Sequence, residues 1–372
     1  MTWFARREFL SSLGALALAP ALFGRADGYI VGMKTLTYSS PGGKDLLLDL
    51  FLPEGAKTPL PTIIFLHGGG WSGGTRATGP DFRRFFAQDG FAMASIEYRL
   101  TPWVTFPSNV EDVKTSIRWL RANAASYGLD PNRIGLWGTS AGATLACVAA
   151  LTRPGMFEGE GNLDQSSAVQ CVLDAYGPTF FTLMDVETDQ EKATLQTQPA
   201  ALASAAPMVG GVVVAGGGDR GRGPAPAVGR GGRGPGAPGA AVPHDDPNSA
   251  ESRLVGAPIQ TAPDKVRSAS PLTYVHDGAP PFLIMHGLAD NSVPHQQSIL
   301  LYESLVAAGN DVTLRLVDGL PHTFFNRTNL DELAGPFRMD VRTHPKNGHE
   351  RFAEDHARVF DVARSFFSQN LQ

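Results

Sequence analysis

Cysteine is scarce in this chain: its 372 residues include two, Cys147 and Cys171. Two cysteines exclude a disulfide-built scaffold and a four-cysteine zinc site. Charged residues make up only 18% of the chain and the net charge is −5, which argues against overall disorder and against a dedicated nucleic-acid binder. Beyond the N-terminal segment, no stretch approaches the ~20 apolar residues of a membrane helix. We therefore expect no membrane span in the mature protein.

Residues 1–26 have the features of an export signal. Arg6 and Arg7 precede a short apolar run, Leu13–Phe23, and small residues follow it. The string that starts at Arg6-Arg7 is similar to a twin-arginine signal, so we expect a periplasmic or secreted bacterial protein. An ordinary Sec signal and an uncleaved anchor remain alternatives. An oxidising compartment permits a disulfide, so Cys147 and Cys171 are either two buried thiols or one pair.

Glycine and proline are concentrated in one segment, residues 207–243. This stretch of 37 residues contains 13 Gly and 6 Pro, four Arg and no aromatic residue. Such a composition cannot bury enough apolar surface to offset the entropy lost on ordering. We interpret it as a disordered insertion within a single domain, residues 27–372, because strand and helix patterns continue after it.

The remaining chain alternates short apolar strands with amphipathic helices. The predicted strands are 43–52, 62–66, 91–96, 133–137, 169–175, 282–285 and 312–317, and the predicted helices are 108–127, 141–151, 297–308 and 349–367. Ser108 and Glu111 fit a capping box at the first of these helices. The alternation predicts an α/β fold with a mostly parallel central sheet and helices on both faces. Ligands bind such sheets beyond the carboxyl ends of the strands.

A G-x-S-x-G motif, residues 138–142, lies between a predicted strand and a predicted helix. This is the context of a nucleophile elbow, in which a sharp turn exposes the hydroxyl of Ser140 at a helix N-terminus. The motif His67-Gly68-Gly69-Gly70-Trp71 directly follows another strand. The amides of Gly69 and Gly70, together with that of Ala141, are the predicted oxyanion hole. We expect His67 to orient this loop.

A serine nucleophile needs a base and an orienting acid, in the chain order serine, acid, histidine. Asp290 follows the predicted strand 282–285, and His322 follows 312–317, taken as the last strand. Ser140, Asp290 and His322 are therefore the predicted catalytic triad.

Other polar residues receive non-catalytic interpretations. These are Asp174 as a polar strand residue, His286 as a loop-forming residue, His295 as a solvated residue, and Arg99 with Asp112 as a structural pair. Residues 349–358 are interpreted as a solvated helix face, because neither they nor His244-Asp245-Asp246 match a metal-ligand pattern. We expect neither a metal nor a cofactor.

These motifs resemble the esterase branch of the α/β-hydrolase superfamily that carries H-G-G-G-W and G-x-S-A-G. The greatest likeness is to bacterial bifunctional feruloyl and acetyl-xylan esterases. It extends to Glu97–Leu100, 130–142, Ser270–Tyr274, 280–286 and 322–326, and covers roughly residues 34–372 without the insertion. The resemblance implies an α/β-hydrolase fold. It also implies hydrolysis of carboxylic esters, often acetyl or feruloyl groups on plant polysaccharide. Thr323 departs from the family, which commonly has His-Gly at this point.

Three functions remain open from the sequence. The first is an exported serine esterase acting on a small-molecule or polysaccharide-linked ester. The second is a serine hydrolase of another bond, such as a peptidase, lactonase or arylformamidase. The third is a binding protein on the same scaffold, which would not need a serine, an acid and a base in this order. The sequence does not determine the oligomeric state.

Overall fold

A ten-stranded mixed sheet organises the part of the chain that the structure describes. The computed structural model describes residues 30–57, 59–185, 243–327 and 329–372. The predicted export signal, 1–26, lies outside these residues, as does the predicted insertion up to residue 242. The strands are β1 Val31–Ser39, β2 Leu46–Pro53, β3 Leu60–Leu66, β4 Ala92–Ile96, β5 Leu129–Thr139, β6 Cys171–Ala175, β7 Phe282–Gly287, β8 Val312–Val317, β9 Phe337–His344 and β10 Arg351–Ala357.

The middle of the sheet is parallel and its two margins are antiparallel. The spatial order is β1-β2-β4-β3-β5-β6-β7-β8-β9-β10. The run from β4 to β8 pairs in parallel, whereas β1, β2, β9 and β10 pair antiparallel. The prediction of a mostly parallel central sheet is confirmed. The carboxyl ends of the parallel strands lie at one edge of the sheet, where the predicted site residues are found.

Helices cover both faces of this sheet. They are α1 Phe82–Phe85, α2 Ser108–Ala122, α3 Ala124–Tyr127, α4 Ala141–Leu151, α5 Ala250–Val255, α6 Pro263–Ala269, α7 Gln296–Ala307, α8 Leu330–Leu333 and α9 Val359–Leu371. The apolar sides of α2, α4, α5 and α7 belong to one core cluster, and those of α1 and α9 to a second. Strands such as β3, buried along its whole length, separate the two clusters.

The start of α2 differs from the prediction. The cap residue is Pro107, and no side chain accepts a hydrogen bond there, so the predicted capping box of Ser108 and Glu111 is wrong. The helix ends at Ala122, and residues 124–127 form the separate turn α3. The predicted structural pair is present. The guanidinium Nε of Arg99 donates to Asp112 Oδ1 over 2.9 Å, and the Arg99 amide donates to Asp112 Oδ2 over 2.8 Å.

The C-terminal region corrects the predicted helix 349–367. Arg351–Ala357 is an edge strand, paired antiparallel with β9, and α9 begins only at Val359. The charged residues of 349–358 therefore do not form a solvated helix face. They lie along an edge strand that pairs with β9 on one side, and most of its side chains are exposed to solvent. Strand β8 is consequently followed by two further strands and is not the last one.

Candidate active site

Ser140 lies in the sharp turn between β5 and α4. Its backbone has φ 52° and ψ −123°, a strained conformation for a residue with a side chain. The Ser140 amide donates to the carbonyl oxygen of Ala175, at the end of neighbouring β6, over 2.9 Å. The turn is thus anchored to the sheet, and the hydroxyl projects at the N-terminus of a helix.

The glycines beside Ser140 permit close backbone approach. A Cβ at Gly138 would stand 2.4 Å from Ala143 Cα, and one at Gly142 would stand 2.2 Å from the carbonyl oxygen of Leu66. Both distances lie far below van der Waals contact, so the turn and its packing against the end of β3 exclude larger residues. This geometry is that of a nucleophile elbow.

The glycine-rich loop after β3 lies against this turn. Gly69 has φ 122° and its carbonyl oxygen accepts from the Gly73 amide over 3.0 Å. The Trp71 indole Nε1 donates to the carbonyl oxygen of Ala141 over 3.0 Å, which joins the loop to the first residue of α4. The structure therefore brings the predicted oxyanion segment, Gly69 and Gly70, to the same end of the sheet as Ala141.

His67 is buried directly after β3, at the start of the glycine-rich loop. Its Nδ1 lies 2.8 Å from the carbonyl oxygen of Gly68, and its own carbonyl oxygen accepts from the Tyr98 hydroxyl over 2.8 Å. The imidazole stacks on the Tyr98 ring with 4.4 Å between ring centroids. Burial lowers the pKa of His67 and so favours its neutral form. These contacts agree with the expected orienting position.

Ser140, His322 and Asp290 form one hydrogen-bonded line. His322 Nε2 lies 2.9 Å from Ser140 Oγ, and His322 Nδ1 lies 2.6 Å from Asp290 Oδ2. An ionised carboxylate only accepts, so Nδ1 carries the hydrogen and Nε2 accepts from the serine hydroxyl. The three predicted residues therefore meet, although they lie up to 182 positions apart in the chain.

Asp290 is enclosed by donors. Its side chain is fully buried, and Oδ1 accepts from the amides of Ser292 and Val293 over 2.8 and 2.9 Å. Burial by itself disfavours the charged carboxylate. Hydrogen bonds from His286 and His322 outweigh burial and hold the pKa of Asp290 well below its usual range. The carboxylate is ionised at neutral pH.

Two rival residues occupy positions apart from this line. Asp174 is fully buried in β6, where its Oδ1 accepts from the Gly177 amide over 2.9 Å. Burial raises the pKa of Asp174 to about 7, only partly opposed by hydrogen bonding to the Gly177 amide. His295 precedes α7, is half-buried, and has its ring centroid 6.5 Å from that of His286. The interpretation of His295 as a solvated residue is therefore incomplete.

His286 was expected to be a loop-forming residue, and this is wrong. It is the fifth residue of β7 and is fully buried. Its Nε2 lies 3.2 Å from Asp290 Oδ2, so it contacts the carboxylate directly. The spacing of four residues between His286 and Asp290, across the end of a strand, was the available signal.

Two residues of positive φ lie beside His322, and sequence reasoning missed the first of them, Tyr176. Tyr176, just after β6, has φ 48° and its ring meets the His322 imidazole edge to face at 4.9 Å. Its place after a parallel strand could have indicated proximity to the site. Thr323 has φ 62°, in the left-handed region that favours glycine. This explains why glycine suits the position that Thr323 occupies here.

The segment after residue 243 covers the glycine-rich loop. A Cβ at Gly70 would stand 3.3 Å from Ala250 Cβ, at the start of α5. His244 Nδ1 lies 2.9 Å from Glu251 Oε1, and His244 Nε2 lies 2.8 Å from the carbonyl oxygen of Ser292. Burial would lower the pKa of His244, but the hydrogen bond to Glu251 outweighs burial and raises the pKa to about 9. A charged histidine thus connects this segment to the loop that carries Asp290.

Other predicted features can be placed as well. Cys147 and Cys171 are both buried and unpaired. Within the described ranges, no group of three or more His, Cys, Asp or Glu side chains is arranged to hold a metal ion. In the same ranges, no helix has the length and apolar character needed to cross a membrane.

Known proteins share both the fold and the sequence pattern. A carbohydrate esterase from gut microbiota superposes with a TM-score of 0.61 at 24% identity, over 92% of this chain and 97% of that one. Est2, an esterase from Thermogutta terrifontis, superposes with a TM-score of 0.55 at 25% identity, over 82% of this chain and 89% of that one. The α/β-hydrolase fold is thereby confirmed.

Sequence relatives include Esterase LipQ of Mycobacterium tuberculosis, 29% identical over 276 residues. The match takes in 72% of this chain but 52% of LipQ, so the chain spans about half the length of that relative. The BD-FAE family model matches residues 48–209 and 237–305. These two ranges together make up more than half of the chain. The protein therefore belongs to the BD-FAE family.

Proposed function

We propose that this protein is a serine carboxylic-ester hydrolase that acts through an acyl-enzyme on Ser140. The observation that carries the proposal is the line from Ser140 Oγ through His322 to Asp290, with distances of 2.9 and 2.6 Å. Those distances suit proton transfer from the serine to the imidazole. The relatives named as esterases support ester hydrolysis as the reaction class.

The first step is attack of Ser140 Oγ on the ester carbonyl carbon. His322 Nε2 takes the hydroxyl proton as the new C–O bond forms. The imidazolium that results donates through Nδ1 to Asp290, whose ionised carboxylate stabilises the positive charge. Since the Asp290 side chain is fully buried, water screens this interaction much less than it would at the surface.

The carbonyl oxygen becomes an oxyanion in the same step. The amides of Gly69, Gly70 and Ala141 are the proposed donors to it. The hydrogen bond from Trp71 to the Ala141 carbonyl fixes the loop relative to α4, so the donors are placed before the substrate binds. The N-terminal end of α4 adds a favourable dipole.

Collapse of the tetrahedral intermediate breaks the bond to the alcohol. His322 returns its proton to the leaving alkoxide, and the acyl group remains on Ser140. A water molecule, deprotonated by His322, then attacks the acyl carbon and releases the carboxylic acid. The serine recovers its proton and the cycle closes, with no cofactor in any step.

The proposed substrates are short-chain or aromatic esters, including acetyl or feruloyl groups on plant polysaccharide. The neighbour named as a carbohydrate esterase supports a carbohydrate-linked ester. Structures of Est2 with bound propionate and butyrate support a short acyl chain. Residues 1–26 support export of the protein, which would place it where plant polysaccharide is degraded.

A substrate panel tests the proposal. Purified wild type and Ser140→Ala are assayed on p-nitrophenyl esters of increasing acyl length, acetylated xylan, methyl ferulate and a set of peptides and lactones. We expect turnover of the esters by wild type alone. Cleavage of peptides or lactones without ester turnover would replace this function with that of another serine hydrolase. Binding without turnover would leave a non-catalytic protein.

Export has its own test. The first 26 residues are fused to a reporter that is active only after leaving the cytoplasm folded, with Arg6 and Arg7 both changed to Lys as the control. Export lost in the control supports the twin-arginine route. Export retained there indicates a Sec signal, and a reporter that stays in the cytoplasm would contradict export.

A further inference from the structure

A second histidine contacts the carboxylate of the proposed triad. His286 is fully buried in β7, and its Nε2 lies 3.2 Å from Asp290 Oδ2 and 2.9 Å from the carbonyl oxygen of Val293. On the other side of the ring, Nδ1 lies 2.7 Å from the hydroxyl of Ser298, in α7. The ring therefore connects α7 to the same carboxylate oxygen that His322 uses.

The hydrogen-bond partners determine where His286 carries a proton. Both neighbours of Nε2, a carboxylate and a backbone carbonyl, only accept hydrogen bonds, so Nε2 must be protonated. The Ser298 hydroxyl satisfies Nδ1 in either protonation state, because it both donates and accepts. The single hydrogen on Nε2 is thus shared between the Val293 carbonyl oxygen at 2.9 Å and Asp290 Oδ2 at 3.2 Å, whether the ring is neutral or charged.

Asp290 Oδ2 consequently has one dedicated imidazole donor, His322, and shares the hydrogen of a second, His286. Oδ1 has two amide donors, from Ser292 and Val293. The amides fix one oxygen and His286 helps to fix the other. Without His286, the Asp290 carboxylate would rotate more easily about its Cβ–Cγ bond. His322 would then be the only imidazole that interacts with the negative charge on Oδ2. A buried carboxylate with fewer donors attracts the imidazolium more strongly.

We infer that His286 is a positioning residue that keeps the Asp290 carboxylate aligned with His322 and stabilises part of the carboxylate's negative charge. The inference rests on the proposed function. It predicts two separate consequences of losing the Nε2 donor. Turnover falls because the acid no longer aligns the base, and the acid-side midpoint of the pH profile moves upward because Oδ2 loses a competing donor.

Other groups near this line bear on the pH dependence. His286 in β7 and Tyr176 after β6 face Asp290 or His322 directly. His295, before α7, lies beside His286, and the His244–Glu251 pair is connected through the Ser292 carbonyl. The substitutions below change only His286 or the distant His344, so the other groups remain constant between the variants.

Two amide substitutions of His286 differ only in the length of the side chain, and so in which partner the amide nitrogen can contact. In His286→Gln the side-chain nitrogen stands about where Nε2 does and can still donate to Asp290. In His286→Asn it stands about where Nδ1 does and reaches only Ser298. His344 provides a structural control, because it is buried, with Nδ1 2.8 Å from the carbonyl oxygen of Asn310, and lies in β9. His344→Asn therefore removes a buried imidazole from another part of the sheet.

The measurement is the pH profile of kcat/KM on p-nitrophenyl acetate, together with the melting temperature of each variant. We expect His286→Asn to lower kcat/KM by roughly 10- to 100-fold and to move the acid-side midpoint upward by about half a pH unit. His286→Gln keeps kcat/KM within about threefold of wild type and leaves the midpoint in place. His344→Asn lowers the melting temperature without moving the midpoint.

Equal profiles for His286→Asn and wild type would overturn the inference, as would a midpoint shift in His286→Gln equal to that in His286→Asn. If His286→Asn does not fold, His286→Gln decides, since a displaced midpoint there contradicts the inference. An inactive wild type would refute the proposed function and this inference with it. An active wild type with an unmoved midpoint in His286→Asn refutes the inference alone.

Discussion

The indole of Trp71 donates to the carbonyl oxygen of Ala141 over 3.0 Å, across 70 positions of the chain. One partner follows the glycines of the loop after β3, and the other follows Ser140 directly. The two proposed sources of oxyanion donors are therefore connected by a buried side chain. The spacing between the Gly69 and Gly70 amides and the Ala141 amide depends on this connection.

Trp71→Phe should lower kcat/KM by more than its loss of stability accounts for. The change removes the hydrogen bond and part of the ring that packs on Phe181, with ring centroids 5.4 Å apart. We expect kcat/KM on p-nitrophenyl acetate to fall about tenfold, because misplaced donors stabilise the oxyanion less well.

Trp137→Phe is the matched control for this prediction. Trp137 is fully buried in β5, and its Nε1 has no hydrogen-bond partner among the described residues. It should lose stability with little change in kcat/KM. Equal losses of kcat/KM in the two variants would show that Trp71 contributes only packing.

Thr323→Gly should stabilise the protein. Thr323 is exposed and has φ 62°, which costs a residue with a Cβ about 1–2 kcal/mol. Glycine relieves this strain, although its greater freedom in the unfolded chain offsets part of the gain. We expect the melting temperature to rise by about 1–2 °C. Thr313→Gly, in the extended strand β8, is the control and should lower it. A lower melting temperature for Thr323→Gly would contradict the strain argument.

The residues of the proposed triad could be predicted because parallel strands impose a simple rule. Ser140, Asp290 and His322 each follow a buried apolar strand, and strands of this kind deliver their next residues to one edge of the sheet. The predicted bounds of β8 and α4 match the structure to the residue. In β8, apolar residues alternate with Thr313 and Arg315, and α4 is a continuous run of small and apolar residues.

The predictions that failed have a common physical cause. In each case contacts between distant parts of the chain determined the structure, and the local sequence pattern did not contain that information. Residues 351–357 are charged and lie at the sheet edge, so their sequence carries no apolar stripe to distinguish a strand from a helix. The position of Pro107 displaced the expected capping box at α2. His286 could be assigned only once β7 had placed it beside Asp290.

Asp174→Asn should change how stability depends on pH. The folded-state pKa of Asp174, about 7, is above the ordinary value near 3.9, so its stabilising contribution is complete below about pH 4 and is lost as the pH rises through 7. Asn mimics the protonated acid at every pH. The free energy of unfolding of wild type minus that of the variant should therefore decrease from pH 4.5 to pH 8, by roughly 1 kcal/mol per pH unit. The difference between their melting temperatures should decrease with it. A difference that stays constant with pH would contradict the assignment.

Asp290→Asn should be severe in turnover. The amide cannot stabilise the imidazolium and can leave His322 in the wrong tautomer, which costs on the order of 10⁴ in the serine proteases where it has been measured. We expect a loss of about 10³ or more in kcat on p-nitrophenyl acetate. Asp318→Asn, an exposed aspartate after β8, is the control and should retain activity. Less than a tenfold loss for Asp290→Asn would contradict its place as the orienting acid.

Covalent labelling of Ser140 tests the central claim most directly. The wild-type protein is inactivated with diethyl p-nitrophenyl phosphate and its peptides are analysed by mass spectrometry. An activated serine displaces p-nitrophenolate, so the account predicts one diethylphosphoryl group, on the peptide containing Ser140, in proportion to the activity lost. Full inactivation with Ser140 unlabelled, or with the label on another residue, would contradict it.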